Sequence, residues 1–334
     1  MTKRIHITNL YGVGGIATVA QRRTVEVAKQ LDFNEISILY DNGLRDPEEF
    51  DKKVAGILAG LEVGDTVIFQ SPIWITSKVE RDFIDRVRQY QGKVAIFIHD
   101  IPPMMFEGNR ELMPLFIELY NKADLLIVPS ENMKDYLISK GVTVEKFVIQ
   151  NLWDIPVNFM SNFEPKYLPR INFAGSDEKF GITENINSSD IELEIYDHKP
   201  EDKLIPDNVH YHGYVDEVKL LSELHEGGFG LVWTEDMYWR EYMKYNASYK
   251  VSTYLRAGIP LIVHRDISCR KLIEDNHWGI VVNSLEEAVQ KVKEMSEEEY
   301  RSYVDAIFNI KYKLENGYYT KKAITDVIYN LFVR

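Results

Sequence analysis

Two lysines in the second half of the sequence stand where a phosphate group could bind. Gly175, Ser176 and Lys179 follow the first strand-like segment of this half, and Lys250 lies near the start of a helical segment. Backbone amides at a helix N-terminus, a serine hydroxyl and an ammonium group are all favourable partners for phosphate oxygens. In a chain whose formal net charge is −13, these lysines predict a diphosphate site. The alternative is that residues 175–179 form an exposed charged loop.

Other residues in this half have side chains that suit a nucleotide. Tyr214 could stack on a base, although an aromatic residue more often packs in a core. Glu235 could accept hydrogen bonds from ribose hydroxyls or cap a loop. The predicted nucleotide-contacting residues in this half are Gly175, Ser176, Lys179, Tyr214, Glu235, Asn246, Ser248 and Lys250.

A glycine-rich turn at 9–15 follows the first strand-like segment of the chain. Gly12, Gly14 and Ala17 match only the looser G-x-G-x-x-A form of the dinucleotide fingerprint, and Asp41 is the only acidic residue near the ribose position. The turn therefore supports dinucleotide binding weakly. It is either a plain tight turn or a loop that faces a substrate, since glycines let a ligand approach the backbone.

His99 and Asp100 end the fourth strand-like segment. Ligands of open α/β sheets bind at the carboxyl ends of parallel strands, and a histidine beside a carboxylate can hydrogen-bond a sugar or shuttle a proton. This position predicts a catalytic role for the pair. The alternative is a loop histidine with its hydrogen bonds satisfied, beside a carboxylate that caps the turn before Pro102.

Composition and missing motifs exclude several classes of protein. The single Cys269 cannot form an intrachain disulfide, and the net charge of −13 disfavours nonspecific nucleic-acid binding. No apolar run reaches the roughly 18 residues that span a bilayer, so we expect a cytoplasmic protein. The sequence contains no HExxH, GxSxG or GxxxxGK[ST] motif. It also lacks the D-x-D of metal-bridged sugar diphosphates, so no metal cofactor is expected.

Alternating segments predict the α/β fold that positions these residues. Short apolar runs are typical of parallel strands covered on both faces, and amphipathic segments between them predict connecting helices. Capping signals at Asp46, at Ser77 with Glu80, and at Ser296 predict three helix starts. The predicted strands are 4–8, 36–40, 66–70, 93–99, 124–128, 146–150, 171–175, 191–197, 209–214, 228–233, 260–264 and 279–283.

The pattern breaks once, at 151–169, which carries three prolines and is the candidate linker. We therefore predict two Rossmann-like, doubly wound domains, at 1–155 and 156–318. Residues 319–334 form a C-terminal helix whose apolar stripe needs a partner. That partner is either the first domain or another subunit, and the second choice would make the protein a homo-oligomer.

Several segments resemble GT-B glycosyltransferases, namely 127–142, 210–224 and 249–263. More narrowly, three segments resemble the bacterial glucosyltransferase family that extends O-linked GlcNAc on serine-rich repeat adhesins. They are ITNLYG at 7–12, FQSPIW at 69–74 and NASYKVSTYLRAGIP at 246–260. Polysaccharide galactofuranosyltransferases are similar to that family.

The resemblance implies a UDP-sugar donor in the second domain and an acceptor in the first. It implies that Lys179 and Lys250 lie near the diphosphate and that Tyr214 lies near the uridine. The loop that contains Gly14, Gly15 and Thr18 would lie near donor and acceptor. One departure is that Tyr245 and Thr253 occupy the positions of the Glu-x7-Glu pair found in many retaining GT-B enzymes.

The sequence therefore predicts a metal-independent transferase that moves glucose from UDP-glucose to a saccharide acceptor, such as O-linked GlcNAc on a glycoprotein. Asp100 is the candidate base for the acceptor hydroxyl. One alternative is a galactofuranosyltransferase for cell-surface polysaccharide. Another is a catalytically inactive module that binds sugar nucleotides and regulates a partner. A UDP-sugar epimerase is a weaker alternative, because it would need its own acid and base in the second domain.

Overall fold

The computed structural model describes residues 4–159, 161, 163–186, 188, 190–201 and 204–332. The chain forms two compact units. The first comprises Met1–Asn151 with Tyr318–Arg334, and the second comprises Leu152–Gly317. None of the helices in the described part of the chain is long and apolar enough to cross a membrane.

The first unit is built on a six-stranded parallel sheet with the order β2-β1-β3-β4-β5-β6. Its strands are β1 Ile5–Tyr11, β2 Asn34–Leu39, β3 Thr66–Ser71, β4 Val94–Ile98, β5 Leu125–Val128 and β6 Phe147–Ile149. Every residue of the central strands β3, β4 and β5 is buried, as near-continuous apolar runs predict. Ser71 pairs with Ile98, so β3 and β4 end side by side.

Helices connect these strands. They are α1 Ile16–Lys29, α2 Pro47–Ile57, α3 Ser77–Arg88, α4 Pro102–Met105, α5 Met113–Tyr120 and α6 Glu131–Ser139, with 3-10 turns at Asn42–Arg45 and Glu107–Leu112. Asp46 caps α2 as predicted, by accepting from the Glu48 amide at 2.9 Å. The predicted capping box at the start of α3 is wrong. Thr76 is the N-cap and accepts from the Val79 amide, so Glu80 lies farther into the helix and is buried.

The second unit repeats the architecture with a parallel sheet ordered β12-β11-β10-β7-β8-β9. Its strands are β7 Lys166–Phe173, β8 Glu192–Ile195, β9 Val209–Tyr211, β10 Gly227–Val232, β11 Leu261–His264 and β12 Gly279–Val282. Its helices are α7 Asp177–Phe180, α8 Ile182–Asn185, α9 Glu217–Leu224, α10 Met237–Met243, α11 Tyr249–Ala257, α12 Arg270–Asp275, α13 Leu285–Glu294 and α14 Glu297–Glu315.

The predicted linker extends too far, because Lys166–Phe173 form a strand. Pro169 removes a backbone donor and argues against a central strand. The structure accommodates it where the pairing of β7 with β10 shifts register, between Gly227 and Phe229. Every residue from Val251 to Ala257 in α11 is buried. Gly230 of β10 permits this packing, since a Cβ there would lie 2.2 Å from the Tyr254 ring.

The last helix, α15 Tyr318–Phe332, belongs to the first unit, where it packs on α1, β5 and β6. Ala323, Ile324 and Val327 form its buried face. The Lys146 ammonium donates to the Asn330 carbonyl at 2.6 Å. The apolar stripe predicted for this segment therefore has its partner within the chain, although Phe332 at its end is 44% exposed.

Candidate functional site

The loop after β7 brings three of the predicted residues together. Ser176 caps α7, accepting from the Lys179 amide at 3.4 Å. Gly175 lies against the side chain of Lys250, because a Cβ at this position would be only 2.8 Å from the Lys250 Cε. A larger residue at 175 would therefore push the lysine aside. The loop predicted to bind phosphate and the lysine of α11, which the sequence links only by inference, are therefore neighbours in the fold.

The two lysines share an aromatic platform. The ring centre of Phe180 lies 4.8 Å from the Lys250 ammonium and 5.3 Å from the Lys179 ammonium. Lys179 also lies 3.9 Å from the ring centre of Trp239, and Lys250 lies 5.6 Å from that of Phe173. Each such cation–π contact is worth about 0.5–1 kcal/mol at an exposed position. The rings therefore hold two like charges close together.

Lys250 is half-buried, and no carboxylate pairs with its ammonium in the part of the chain that the structure describes. Desolvation, and secondarily the charge of Lys179, lower the pKa of Lys250 to about 8. A bound anion would offset both causes, because a negative charge nearby raises the pKa of the lysine and stabilises its charged form. Two adjacent cations can neutralise a ligand that carries two negative charges, such as a diphosphate.

The start of α11 offers further polar groups. Ser248 is the N-cap residue, but its side chain makes no capping hydrogen bond. The Asn246 Oδ1 is buried without a hydrogen-bond partner among the described residues. A buried acceptor without a donor destabilises the fold by about 1–3 kcal/mol, so a ligand hydroxyl or amide would be favourable there. Both residues remain predicted contacts of the nucleotide.

Two predicted contacts in this unit have different surroundings. The Glu235 carboxylate accepts from the Trp233 indole at 2.6 Å and pairs with Arg240 at 3.0 Å, so it is already engaged. Tyr214 follows β9 and is 81% exposed, which rules out the core position considered for it. Sequence reasoning singled out neither Phe180 nor Trp239 as part of this site. Their place beneath the lysines becomes visible only in three dimensions.

The glycine-rich turn of the first unit leads into α1. Gly15 is the N-cap of α1, and Thr18 donates to the Gly15 carbonyl at 2.8 Å. Thr18 is buried, whereas Gly14 and Gly15 are exposed. A Cβ at Gly14 would meet no atom within 4 Å, so the space above the turn is open. The turn can accept a ligand, and its role as a substrate loop stays a prediction.

His99 is buried at the end of β4. Its Nε2 lies 2.8 Å from the Gln70 Oε1, and its ring stacks on Phe97 with 4.6 Å between centroids. Desolvation lowers the pKa of His99 to about 3, which makes the imidazole neutral and a weak base. These contacts favour the structural interpretation of His99. Asp100, the next residue, is half-buried and remains the candidate base.

A buried carboxyl that the sequence placed in a capping box lies beside this strand end. Glu80 accepts from the Ser71 hydroxyl at 2.5 Å and from the Ile73 amide at 3.1 Å. Burial raises the pKa of Glu80 to about 7. Burial raises the pKa of Tyr120 as well, and the charges of Glu80 and Asp100 add to that effect. Glu80, Tyr120 and Asp100 therefore form one cluster beneath the carboxyl ends of β3 and β4.

Glu80→Gln is expected to alter the pH dependence of stability. The pKa of Glu80 is higher in the folded protein than in the unfolded chain. Its contribution to the free energy of unfolding is therefore fully present below the unfolded-state pKa, and it is lost as the pH rises through about 7. The amide that replaces the carboxyl stays neutral and offers one acceptor oxygen and one donor group, as the protonated acid does. The variant should therefore gain about 2–3 kcal/mol relative to wild type between roughly pH 5 and 8.5, measured by urea unfolding. Glu111→Gln, at an exposed position, is the control, and parallel curves for wild type and Glu80→Gln would contradict the assignment.

Two sequence profiles together match almost the whole chain. The profile described as "Glucosyltransferase 3-like, N-terminal domain" matches residues 4–152, and the profile described as "Glucosyltransferase 3-like, C-terminal domain" matches residues 171–327. The chain belongs to the glucosyltransferase 3-like family.

Named relatives agree with this membership. The chain is 41% identical over 332 residues to glucosyltransferase 3 of Streptococcus gordonii, covering 97% of this chain and 98% of that protein. It is 24% identical over 294 residues to the β-1,6-galactofuranosyltransferase WbbI of Escherichia coli K12, covering 84% of each. The protein is therefore a glycosyltransferase, as the resemblance of its motifs predicted.

The fold comparison confirms the predicted architecture. The structure of Anabaena HepE in complex with UDP-glucose superposes with a TM-score of 0.66 at 11% identity, covering 98% of this chain and 99% of that one. At this identity the likeness shows the fold alone, which is GT-B. Among the described residues, no group of three or more His, Cys, Asp or Glu side chains is arranged to hold a metal ion.

Proposed function

We propose that this glycosyltransferase transfers glucose from UDP-glucose to a saccharide acceptor, such as O-linked GlcNAc on a glycoprotein, without a metal ion. The observation that carries the proposal is the pair of ammonium groups over Phe180, of which that of Lys250 has no counter-ion among the described residues. The named relatives support glucosyl transfer, and the complex of HepE with UDP-glucose supports the donor class.

The site's chemistry follows from the charge of the leaving group. Negative charge grows on the UDP oxygens as the glycosidic bond breaks, so cations fixed beforehand bind the transition state more tightly than the ground state. Lys179 and Lys250 supply that charge, and the first amides of α11 add the positive end of a helix dipole. Asp100 would accept the proton of the attacking acceptor hydroxyl.

A galactofuranosyl donor is the second candidate, because the match to WbbI covers 84% of this chain. The test is UDP release from UDP-glucose, UDP-galactofuranose and UDP-galactose, each with and without a GlcNAc-bearing serine peptide. The proposal expects release that needs both UDP-glucose and the glycopeptide. Release only with UDP-galactofuranose would favour the second candidate. UDP binding without turnover of any donor would favour an inactive binding module.

UDP is expected to bind equally well without divalent metal. The lysine pair replaces the positive charge that a metal supplies in D-x-D enzymes, and the sequence contains no D-x-D motif. Calorimetric titration with UDP in excess EDTA should give an affinity within about twofold of that measured with Mg²⁺, well under the tenfold that 1.4 kcal/mol represents. Loss of UDP binding in EDTA would overturn the metal-independent mechanism.

A further inference from the structure

The chain that enters the second unit runs along α11. The Trp153 amide donates to the Ser252 hydroxyl at 3.1 Å, and the Trp153 indole donates to the Ala247 carbonyl at 2.7 Å. At the other end of the helix, the Arg256 guanidinium donates to the Val157 carbonyl at 2.9 Å. This segment therefore binds both ends of the helix that carries one of the two lysines.

Trp153 is a buried side chain with a single polar atom. It is 5% exposed, and an indole can donate a hydrogen bond but cannot accept one. Because a buried donor without an acceptor destabilises the fold, the indole and the Ala247 carbonyl must stay paired. The position of the ring therefore fixes the direction in which the Ala247 carbonyl points.

The carbonyl before it is held by a second element. The Ser268 hydroxyl donates to the Asn246 carbonyl, and the Ser268 amide donates to the Met243 carbonyl at 3.0 Å. Two successive carbonyls at the start of α11 therefore accept from side chains that are distant in sequence. The turn at 246–248 is fixed by the protein itself, before a ligand binds.

The fixed carbonyls determine where the next amides point. In a trans peptide the N–H is directed opposite to the carbonyl that precedes it, and the peptides of this turn are trans. The Ala247 and Ser248 amides are therefore directed away from the two side chains that hold the turn. Neither amide donates a hydrogen bond within the described part of the chain. Successive amides of this kind are favourable partners for an anion.

We propose that Trp153 is a positioning residue of the donor site, which fixes the turn at 246–248 and its amides for the donor diphosphate. Ser268 fixes the preceding peptide of the same turn. This inference rests on the proposed function, because it takes the diphosphate to bind beside Lys250 at the start of α11. Donors that are fixed beforehand lower the entropic cost of binding and need no reorganisation as charge grows on the leaving UDP.

The test is calorimetric titration of UDP and of uridine into the full chain and its variants. Trp153→Phe keeps a buried aromatic ring but removes the indole donor. We expect it to lower UDP affinity by about three- to tenfold, the size expected for one neutral hydrogen bond, and to leave uridine affinity within about twofold. Trp278→Phe is the matched control, since Trp278 is 4% exposed in the same unit. It should lower the Tm to a similar extent and leave UDP affinity unchanged.

A second pair of variants tests the same turn through Ser268. Ser268→Ala removes the hydroxyl that holds the Asn246 carbonyl, so we expect a similar three- to tenfold loss of UDP affinity. Ser268→Thr keeps a hydroxyl and should stay within about twofold of wild type. If Trp153→Phe fails to fold, this pair decides whether the turn must be held for UDP to bind.

The outcomes separate the positioning role from the proposed function. Wild-type UDP affinity in folded Trp153→Phe and Ser268→Ala, with a loss in Lys250→Ala, would overturn the positioning role and leave the donor site standing. Equal losses for UDP and uridine, or an equal loss in Trp278→Phe, would also overturn it, because general loosening of the fold has that effect. The expected losses in an enzyme that releases no UDP from any donor would overturn the proposed transfer and leave the positioning role standing.

Discussion

Replacing Lys250 by alanine is expected to lower kcat/KM for UDP-sugar turnover by about 10- to 100-fold. The lost contact is charge-assisted and worth about 1.5–3 kcal/mol. Part of the loss should appear in kcat, because the charge on UDP grows as the glycosidic bond breaks. Alanine is the best helix former, so α11 should remain intact.

The measurement is steady-state UDP release, with thermal melts as the folding control. Lys271→Ala is the matched variant, since Lys271 is an exposed lysine in the same unit that pairs with Asp275. Lys250→Arg should rescue activity only in part, because a planar fork replaces a compact ammonium. A folded Lys250→Ala enzyme with near-normal kcat/KM would show that the diphosphate is bound elsewhere.

The same lysine predicts a pH dependence. The pKa of Lys250 is lowered to about 8 in the free protein, so the charged form is lost as pH rises through that value. The donor KM of the wild type should therefore rise above about pH 8. The Lys250→Arg enzyme should lack this rise, because arginine stays charged throughout the range.

Deleting residues 319–334 is expected to destabilise the first unit severely. The deletion removes Ile324 and Val327, both fully buried, and uncovers the surfaces of α1, β5 and β6 beneath them. Burying one such side chain contributes about 1.5–3 kcal/mol, so the loss is a large fraction of a typical total stability. Insoluble protein or a greatly lowered Tm is the expected result.

A point variant tests whether the destabilisation comes from lost packing and not from the shortened chain. Ile324→Asp places a charge in the buried face of α15 and should have nearly the effect of the deletion. Tyr329→Asp, on the same helix at a position 62% exposed, should leave the Tm within a few degrees. A truncated protein with unchanged Tm and activity would mean that α15 contributes nothing to the fold.

The positions of the strands in the sequence were predictable, because parallel strands covered on both faces must be apolar almost throughout. Each of the twelve predicted strands overlaps an observed one, as 66–70 does with Thr66–Ser71. The main error lies at β7, whose first residues were assigned to the linker because Pro169 argues against a strand, whereas the structure accommodates this proline at a shift in register. Sequence patterns within one segment identify a proline-containing strand poorly, because the register shift that accommodates the proline involves the neighbouring strand β10.

Part of the candidate site was also predictable, from the positions of its residues along the chain. Gly175, Ser176 and Lys250 lie at the carboxyl ends of strands or the starts of helices, and such positions gather at one edge of a parallel sheet. The rings that hold the lysines together could not be found this way, because Phe180 and Trp239 meet only through tertiary packing.

Glu80 shows a signal that was present but not used. Thr76 can cap a helix as Ser77 can. Glu80 lies three residues before Phe83, four before Ile84 and seven before Val87, so it belongs to the apolar face of the helix. A carboxylate at that spacing indicates a buried acid. The structure confirms the burial and supplies what the sequence lacks, namely its partners Ser71 and Ile73.

The most direct test of the central claim is calorimetric titration of UDP and of uridine into the wild type and the Lys179→Ala/Lys250→Ala double variant. We expect the double variant to lose about 100-fold or more in UDP affinity, since two charge-assisted contacts are removed. Its affinity for uridine, which lacks the diphosphate, should match that of the wild type. A folded double variant that binds UDP as tightly as the wild type would contradict the assignment of this lysine pair to the donor diphosphate.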